Sequence, residues 1–501
     1  MTDALQDNQS TDSAGPEKGS VESVGVSADD PNRPLPVGLV GPDDIQSLPA
    51  SDAIEPTPDN EGGFKPPGIL AGVGRIILET GPVAMPLRGL AKAFRALGER
   101  DFLFIWTGAM LSNMGMWIQV VALQWLIKSL APDHSALWLG KAAFFQQIPT
   151  VLLLPLGGVL ADRFDLRWII LAGNVFLCAM ASSLAVMHHH DLIHIWMLMG
   201  TAVILGIWQA ALIPATQAIL PSLVNKEMLP NAVALNSMQF NMSRAIGPAI
   251  GGVTLLSLGA TWSFGLNALS YMGIVVAVFL ITPPKRAKVV HEGVLRSMRA
   301  GAIYLRSRKD LLVILFSVLI FGMFSAPMLF MLPAIVEELH DNHPLQFTQM
   351  LSSFGCGAIL GSILLAARSH RKAVPWRGLL TIILFGVCEF IIALGWPFWM
   401  TIGLTFCCGL TMVGSLNRFF AATIGSVPTY VRGRISSFYM LSLTTGFPIG
   451  SIIGGKAASI YGIANVMMTF GSLMVLAMVI GLTTIRVFGI EYRDDSDAAR
   501  H

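Results

Sequence analysis

Glu389 is an isolated carboxylate inside a long apolar run, 377–395. A charged group in lipid is costly and is functional by default, so proton carriage and a snorkelling or structural polar role both stand as readings. Arg244 and Arg418 each lie near the end of an apolar stretch. Long cationic side chains there can reach phosphates, and Arg418 can alternatively meet an anionic substrate. Gly157 and Gly158 lead into a compact charged group, Asp162, Arg163, Asp165 and Arg167. Histidines cluster with acids twice, at His188, His189, His190, Asp191 and His194, and at Glu337, Glu338, His340, Asp341 and His343. Such sets can bind metal or sense acid, but more often they solvate a loop, and no metal site is expected. Cys178, Cys356, Cys388, Cys407 and Cys408 all fall in apolar runs without a C-x-x-C, which marks them as packing residues. No H-E-x-x-H, no G-x-S-x-G with partners, no paired intramembrane carboxylates and no Walker A loop occur. The expectation is therefore not an enzyme, with neither direct ATP use nor a cofactor.

The elements that must hold these groups are constrained by composition. The chain has 501 residues, 53% hydrophobic and 13% charged, with a mean hydropathy of +0.63. Soluble domains carry about a quarter charged residues, so the apolar excess here is expected to face a lipid bilayer. The net charge of +2 gives no reason to expect nucleic acid. A crossing helix needs roughly 20 apolar residues, and twelve such runs are found between 102 and 486. The hydrophilic segment 283–310 divides them six and six. Cations alternate: Arg163 and Arg167, Lys226, Lys285 to Lys309, Arg368 to Arg377, and Arg432 with Arg434 all fall on one side. The positive-inside rule then puts both termini in the cytoplasm.

These readings predict an all-α membrane protein of twelve transmembrane helices in two six-helix bundles. A disordered acidic tail is expected at 1–62, a basic amphipathic segment at 63–101, and the first bundle at 102–282. A cytoplasmic linker at 283–310, the second bundle at 311–488 and a short tail at 489–501 follow. The fifth run carries Gly247, Pro248, Gly251 and Gly252, and the eleventh carries Pro448 and Gly450 at the matching place. Small residues let helices approach, and their pairing suggests a parallel internal repeat with hinge or packing roles.

The stretch Gly157-Gly158-Val159-Leu160-Ala161-Asp162-Arg163-Phe164-Asp165-Leu166-Arg167 resembles motif A of the major facilitator superfamily, with Asp165 and Leu166 replacing the usual glycine and arginine. Ser112 to Gln119, Leu235-Asn236-Ser237, Arg244 to Pro248, and Val431 to Ile435 look like its enterobactin-exporter and macrolide-efflux branch, the transmembrane secretion effectors. The resemblance implies a gating latch at Gly158, Asp162, Arg163 and Arg167, with Arg244 as a partner or a snorkelling cation. It implies a monomeric inner-membrane exporter of a small amphipathic, drug-like or siderophore-like compound. It also implies proton coupling, but Met116 stands where the branch often has an acid and Gly206 to Ala210 lacks the motif B arginine. That leaves Glu389 as the candidate coupling residue. A lysophospholipid or metabolite transporter and a non-transporting membrane sensor remain alternatives.

The resemblance implies that spans one, four, seven and ten line the cavity. Helical phase then selects Asn113, Trp117 and Gln124; Trp208; Phe321 and Phe324; and Thr405 and Met412. Such a face would suit an amphipathic substrate, being mostly apolar with a few orienting polar groups. Ordinary helix packing is the competing reading for every one of them.

Overall fold

The apolar runs fold as helices because a helix satisfies its own backbone groups where water is excluded. The computed structural model describes residues 94–281, 294–366 and 375–487. The expected tails at 1–62 and 489–501, residues 63–93 of the basic segment, and the linker cations Lys285, Arg286 and Lys288 lie outside the described residues, as do Arg368, Arg371 and Lys372. All described residues belong to one unit, Gly74–His501.

The first set of helices is α1 (Arg100–Leu130), α2 (Ser135–Arg163), α3 (Leu166–His189), α4 (Ile195–Ile219), α5 (Leu229–Ser257) and α6 (Gly259–Leu280). After them comes α7 (Val294–Ser307), in the expected linker. The seventh expected span is divided into α8 (Lys309–Phe324), α9 (Ala326–Phe330) and α10 (Leu332–Leu339). Proline explains the division, since Pro327 and Pro333 open the second and third pieces and cannot donate a backbone hydrogen bond within a helix. The rest are α11 (Pro344–Ala366), α12 (Pro375–Ile392), α13 (Phe398–Gly425), α14 (Thr429–Tyr461) and α15 (Ile463–Val487).

Among the described residues, 8 helices can cross a membrane by length and composition. Those outside that set are α5, the linker helix α7, the divided α8–α10, the short α12, and α14. The sequence shows why: α5 carries Asn231, Asn236, Gln239, Asn241 and Arg244, and α14 carries Arg432, Arg434 and Lys456. Polar residues placed against neighbouring helices lower a hydropathy average without exposing those residues to lipid.

Packing repeats between the halves. In α5, Gly247 and Gly251 receive Trp117, Ile118 and Val121 of α1. In α14, Gly446 and Gly450 receive Leu319 and Met323 of α8. Each glycine stands where an added Cβ would meet its neighbour at close range, so the matched interruptions serve close approach. Pro248 and Pro448 are buried in the same helices without ending them.

The two bundles touch along α2 with α14 and α5 with α11. Gly140 of α2 meets the Ser451 carbonyl and Gly455 of α14, Gly252 of α5 meets Thr348 of α11, and Gly355 of α11 backs onto Ala245. Most of these approaches fall toward the end that holds the 131–134 and 340–343 connections.

The turn before α1 and the segment before α8 are both tied down. Ala96 is fully buried and its N–H donates to Asn231 Oδ1 at 2.9 Å, docking the turn Arg95–Gly98 on α5. Arg308 forks onto both oxygens of Asp310, at 2.9 and 2.7 Å, and also reaches Tyr304 and the Ser426 carbonyl. The Asp310 carboxylate pushes the guanidinium's pKa up from its ordinary value. This ties α7 to the start of α8 and the end of α13.

Candidate functional site

Helix α5 packs against α1 of its own bundle and against α11 of the other. On α1, Gly115 and Gln119 face α6, where the Asn267 amide donates to Gln119 Oε1 at 2.6 Å, while Trp117, Ile118 and Val121 face α5. Asn113 and Gln124 lie on the side turned away from α6, at the edge of which Trp117 sits. On α5, Gly247 and Gly251 face α1 and Ala245 and Gly252 face α11. Arg244, with Asn241 a turn before it, falls between those two arcs at about 100° per residue. The opposite side of α5 exposes Ile246, Ile250 and Val253.

Arg244 is half-buried. Its guanidinium carbon lies 5.8 Å from the Trp117 ring centroid and 5.6 Å from that of Phe240. Cation–π contact of this kind contributes about 0.5–2 kcal/mol depending on exposure. Of the sequence-predicted residues, Trp117 and Arg244 come together where α1 meets α5.

The other cavity candidates take packing positions. Trp208 lies 5.3 Å from Phe176 and joins Leu205, Leu177 and Tyr271 between α3, α4 and α6. Phe321 is fully buried, edge-on to Phe385 of α12 at 5.1 Å, and Phe324 meets Phe470 of α15 at 5.1 Å. Thr405 is fully buried and donates to the Thr401 carbonyl at 2.7 Å, and Met412 is buried in the same core. Helical phase selects a coherent face but does not say which neighbour that face meets. For Trp208, Phe321 and Phe324 the nearest ring belongs to another helix of the same half.

Glu389 is fully buried in α12 and neither carboxyl oxygen has a hydrogen-bond partner. The adjacent Cys388 is buried, as is Cys408 of α13.

One polar cluster is not legible as a unit in the sequence. Lys128, nearly buried at the end of α1, lies 3.5 Å from Glu337 of α10 and donates to Asn342 Oδ1. Ser135, opening α2, donates to the other Glu337 oxygen at 2.6 Å. Lys128 also lies 4.5 Å from the Trp125 ring centroid, and Trp125 stacks on Phe347 of α11. Asn342 holds φ 56°, a left-handed conformation that asparagine tolerates well. The cluster closes the seam between the bundles at this end. Its one readable signal is the pair of prolines that steer α10 across it. At the other end Asp162, Arg163 and Phe164 are exposed, and a Cβ on Gly158 would meet nothing within 4 Å. The loop itself is ordered: Asp165 caps α3 by accepting from the Arg167 N–H at 2.9 Å. Arg167 donates to the Val278 carbonyl of α6 at 2.8 Å.

Apolar helices in two packed bundles, closed against each other at one end and exposing a motif A loop at the other, define a multi-pass membrane transporter. Comparison with known proteins places it further. The family model described as transmembrane secretion effector matches residues 91–500, and the chain belongs to that family of the major facilitator superfamily. It is 26% identical to a staphyloferrin A transporter of Staphylococcus aureus over 74% of this chain and 92% of that protein. A macrolide efflux protein of Streptococcus pyogenes is 23% identical over 76% and 94%, and an enterobactin exporter of Escherichia coli is 26% identical over 67% and 80%. Among solved structures, an inward-facing, unoccupied bacterial homologue of the lysosomal transporter Spinster aligns with TM-score 0.59 at 14% identity, covering 77% and 97% of the two chains. A peptide transporter in complex with sulfate aligns with TM-score 0.62 at 14% identity, covering 78% and 95%. These structures share the fold.

Proposed function

We propose that the protein is a twelve-span secondary active exporter of small amphipathic compounds. Its two bundles rock about a central seam to expose that seam to each side in turn. The observation that carries this is the asymmetry of the seam: Lys128, Ser135, Glu337 and Asn342 join the bundles at one end, while Gly158 and Phe164 stand clear at the other. Cation distribution supports a cytoplasmic 162–167 end, and on that reading both termini are inside and this is the inward-facing conformation. Substrate enters from the cytoplasm beside Asn113, Trp117, Gln124 and Arg244. The compounds named for the relatives, two siderophores and the macrolides, support a small-molecule cargo.

The driving force is a proton gradient, and Glu389 is the coupling residue. A fully buried carboxyl with no partner on either oxygen is costly to ionise in place, so its charge state is suited to follow a conformational change that brings water or a partner to it. The reading is tested with purified protein in liposomes, using a panel of macrolides and siderophores with and without a pH gradient. Gradient-dependent movement of at least one compound is expected, with Glu389→Gln losing the gradient dependence while remaining folded. Movement of no compound would sink the exporter reading, and an unchanged pH dependence in Glu389→Gln would remove Glu389 from coupling.

A further inference from the structure

Arg244 is a cation without a counter-ion in the seam. Among the described residues no carboxylate pairs with it, and its Nε has no acceptor. The Trp117 Nε1–H beside it is likewise buried without a partner. Aromatic rings flank the guanidinium on two sides, from α1 and from α5 itself. An uncompensated charge in a poorly hydrated place costs free energy, and that cost is offset when a ligand brings the opposite charge. Arginine is the residue whose planar fork matches two oxygens at once.

We propose that Arg244 and Trp117 form a binding site for the anionic oxygen group of an amphipathic small molecule, a carboxylate in the first instance. The inference rests on the transporter reading for its placement in the substrate path. The Nε and one terminal nitrogen of Arg244 donate to the two carboxylate oxygens, the Trp117 indole N–H adds a third donor, and the two ring faces take the ligand's apolar body. A phospholipid headgroup offers similar chemistry. However, Arg244 lies on the arc of α5 between the α1 and α11 contacts, and the lipid-facing residues Ile246, Ile250 and Val253 occupy the other side. The geometry therefore favours a soluble anion that enters between the bundles.

The test uses the purified full chain in phosphatidylcholine nanodiscs and a matched pair of probes, para-octylbenzoate and para-octylbenzamide, with binding read by calorimetry. Wild type is expected to bind the benzoate about tenfold more tightly than the benzamide, the size of one charge-assisted hydrogen-bonded contact. Arg244→Gln should abolish the preference by weakening the benzoate alone, Arg244→Lys should restore part of it, and Trp117→Phe should weaken the benzoate by about threefold. Equal affinities in wild type, or a preference that survives Arg244→Gln, would overturn the site. Adding phosphatidylglycerol to the nanodiscs separates the two anion sources. Unchanged benzoate affinity supports the soluble ligand, whereas its loss assigns the site to a headgroup and overturns the substrate reading. If the benzoate preference holds while liposomes move nothing, the site stands and the transporter reading fails. If liposomes move a compound while wild type shows no preference, the transporter reading stands and the site fails.

Discussion

Glu337 and Glu338 are neighbours in sequence with different work to do. Glu337 reaches across the seam to Lys128 and Ser135. Glu338 stays within its own bundle, accepting from the backbone N–H groups of Ile463 and Ala464 at 2.7 and 3.2 Å at the start of α15. A carboxylate there satisfies helix N–H groups that lack intrahelical partners and complements the helix dipole. A turn away, His340 packs edge-on against Phe398 of α13 at 5.2 Å with its Nε2 buried and unpartnered. Burial pushes its pKa below the ordinary histidine value, partly opposed by the negative charge of Asp341. For a base whose folded pKa is depressed, the unfolded state binds more protons in the window between the two values, so stability falls as pH drops through it. Thermal unfolding between about pH 7 and 5 should show a declining midpoint that flattens in His340→Gln. A decline of equal slope in the variant would remove His340 from the effect.

At the scale of elements, the outer closure depends on a divided helix. Pro327 and Pro333 separate α8, α9 and α10, and the last piece carries Glu337 to the ends of α1 and α2. An ion pair with one nearly buried partner is worth more than a surface pair and less than a fully enclosed one, about 1–2 kcal/mol. Lys128→Ala should therefore shift the population toward an outward-open form by roughly tenfold. The readout is labelling of Gln124→Cys by a membrane-impermeant maleimide applied from outside, which should rise in the Lys128→Ala background. Labelling that stays at the parent rate would show that the cluster does not hold the seam. The helices themselves are legible in the sequence, because apolar runs of crossing length and the matched Gly247, Gly251 and Gly450 each carry a local signal. The pairing of Lys128 with Glu337 is not, because it joins residues 209 positions apart through a turn that local pattern does not specify. Cavity faces are legible only in part. Trp117 lies beside Arg244 where α1 meets α5, whereas Trp208, Phe321 and Phe324 carry the same aromatic pattern and pack against Phe176, Phe385 and Phe470. Packing and pocket stripes share one periodicity, and only the neighbouring helix distinguishes them.

For the whole molecule, the two halves place glycine faces in equivalent positions, α5 against α1 and α14 against α8. The proposed rocking moves each half as a unit about the seam between them. Side-chain bonds joining the bundles at one end, with Gly158 and Phe164 exposed at the other, fit a rocking transporter in one of its two main states. The direct measurement is a pair of electron–electron distances in a background lacking the five native cysteines. One pair spans the closed end, at Ser129→Cys and Leu345→Cys, and the other spans the open end, at Phe164→Cys and Asn417→Cys. Rocking predicts that a compound carried in the liposome assay lengthens the first distance and shortens the second under a pH gradient. If both distances keep their substrate-free values while that compound is being transported, the two bundles do not rock about this seam.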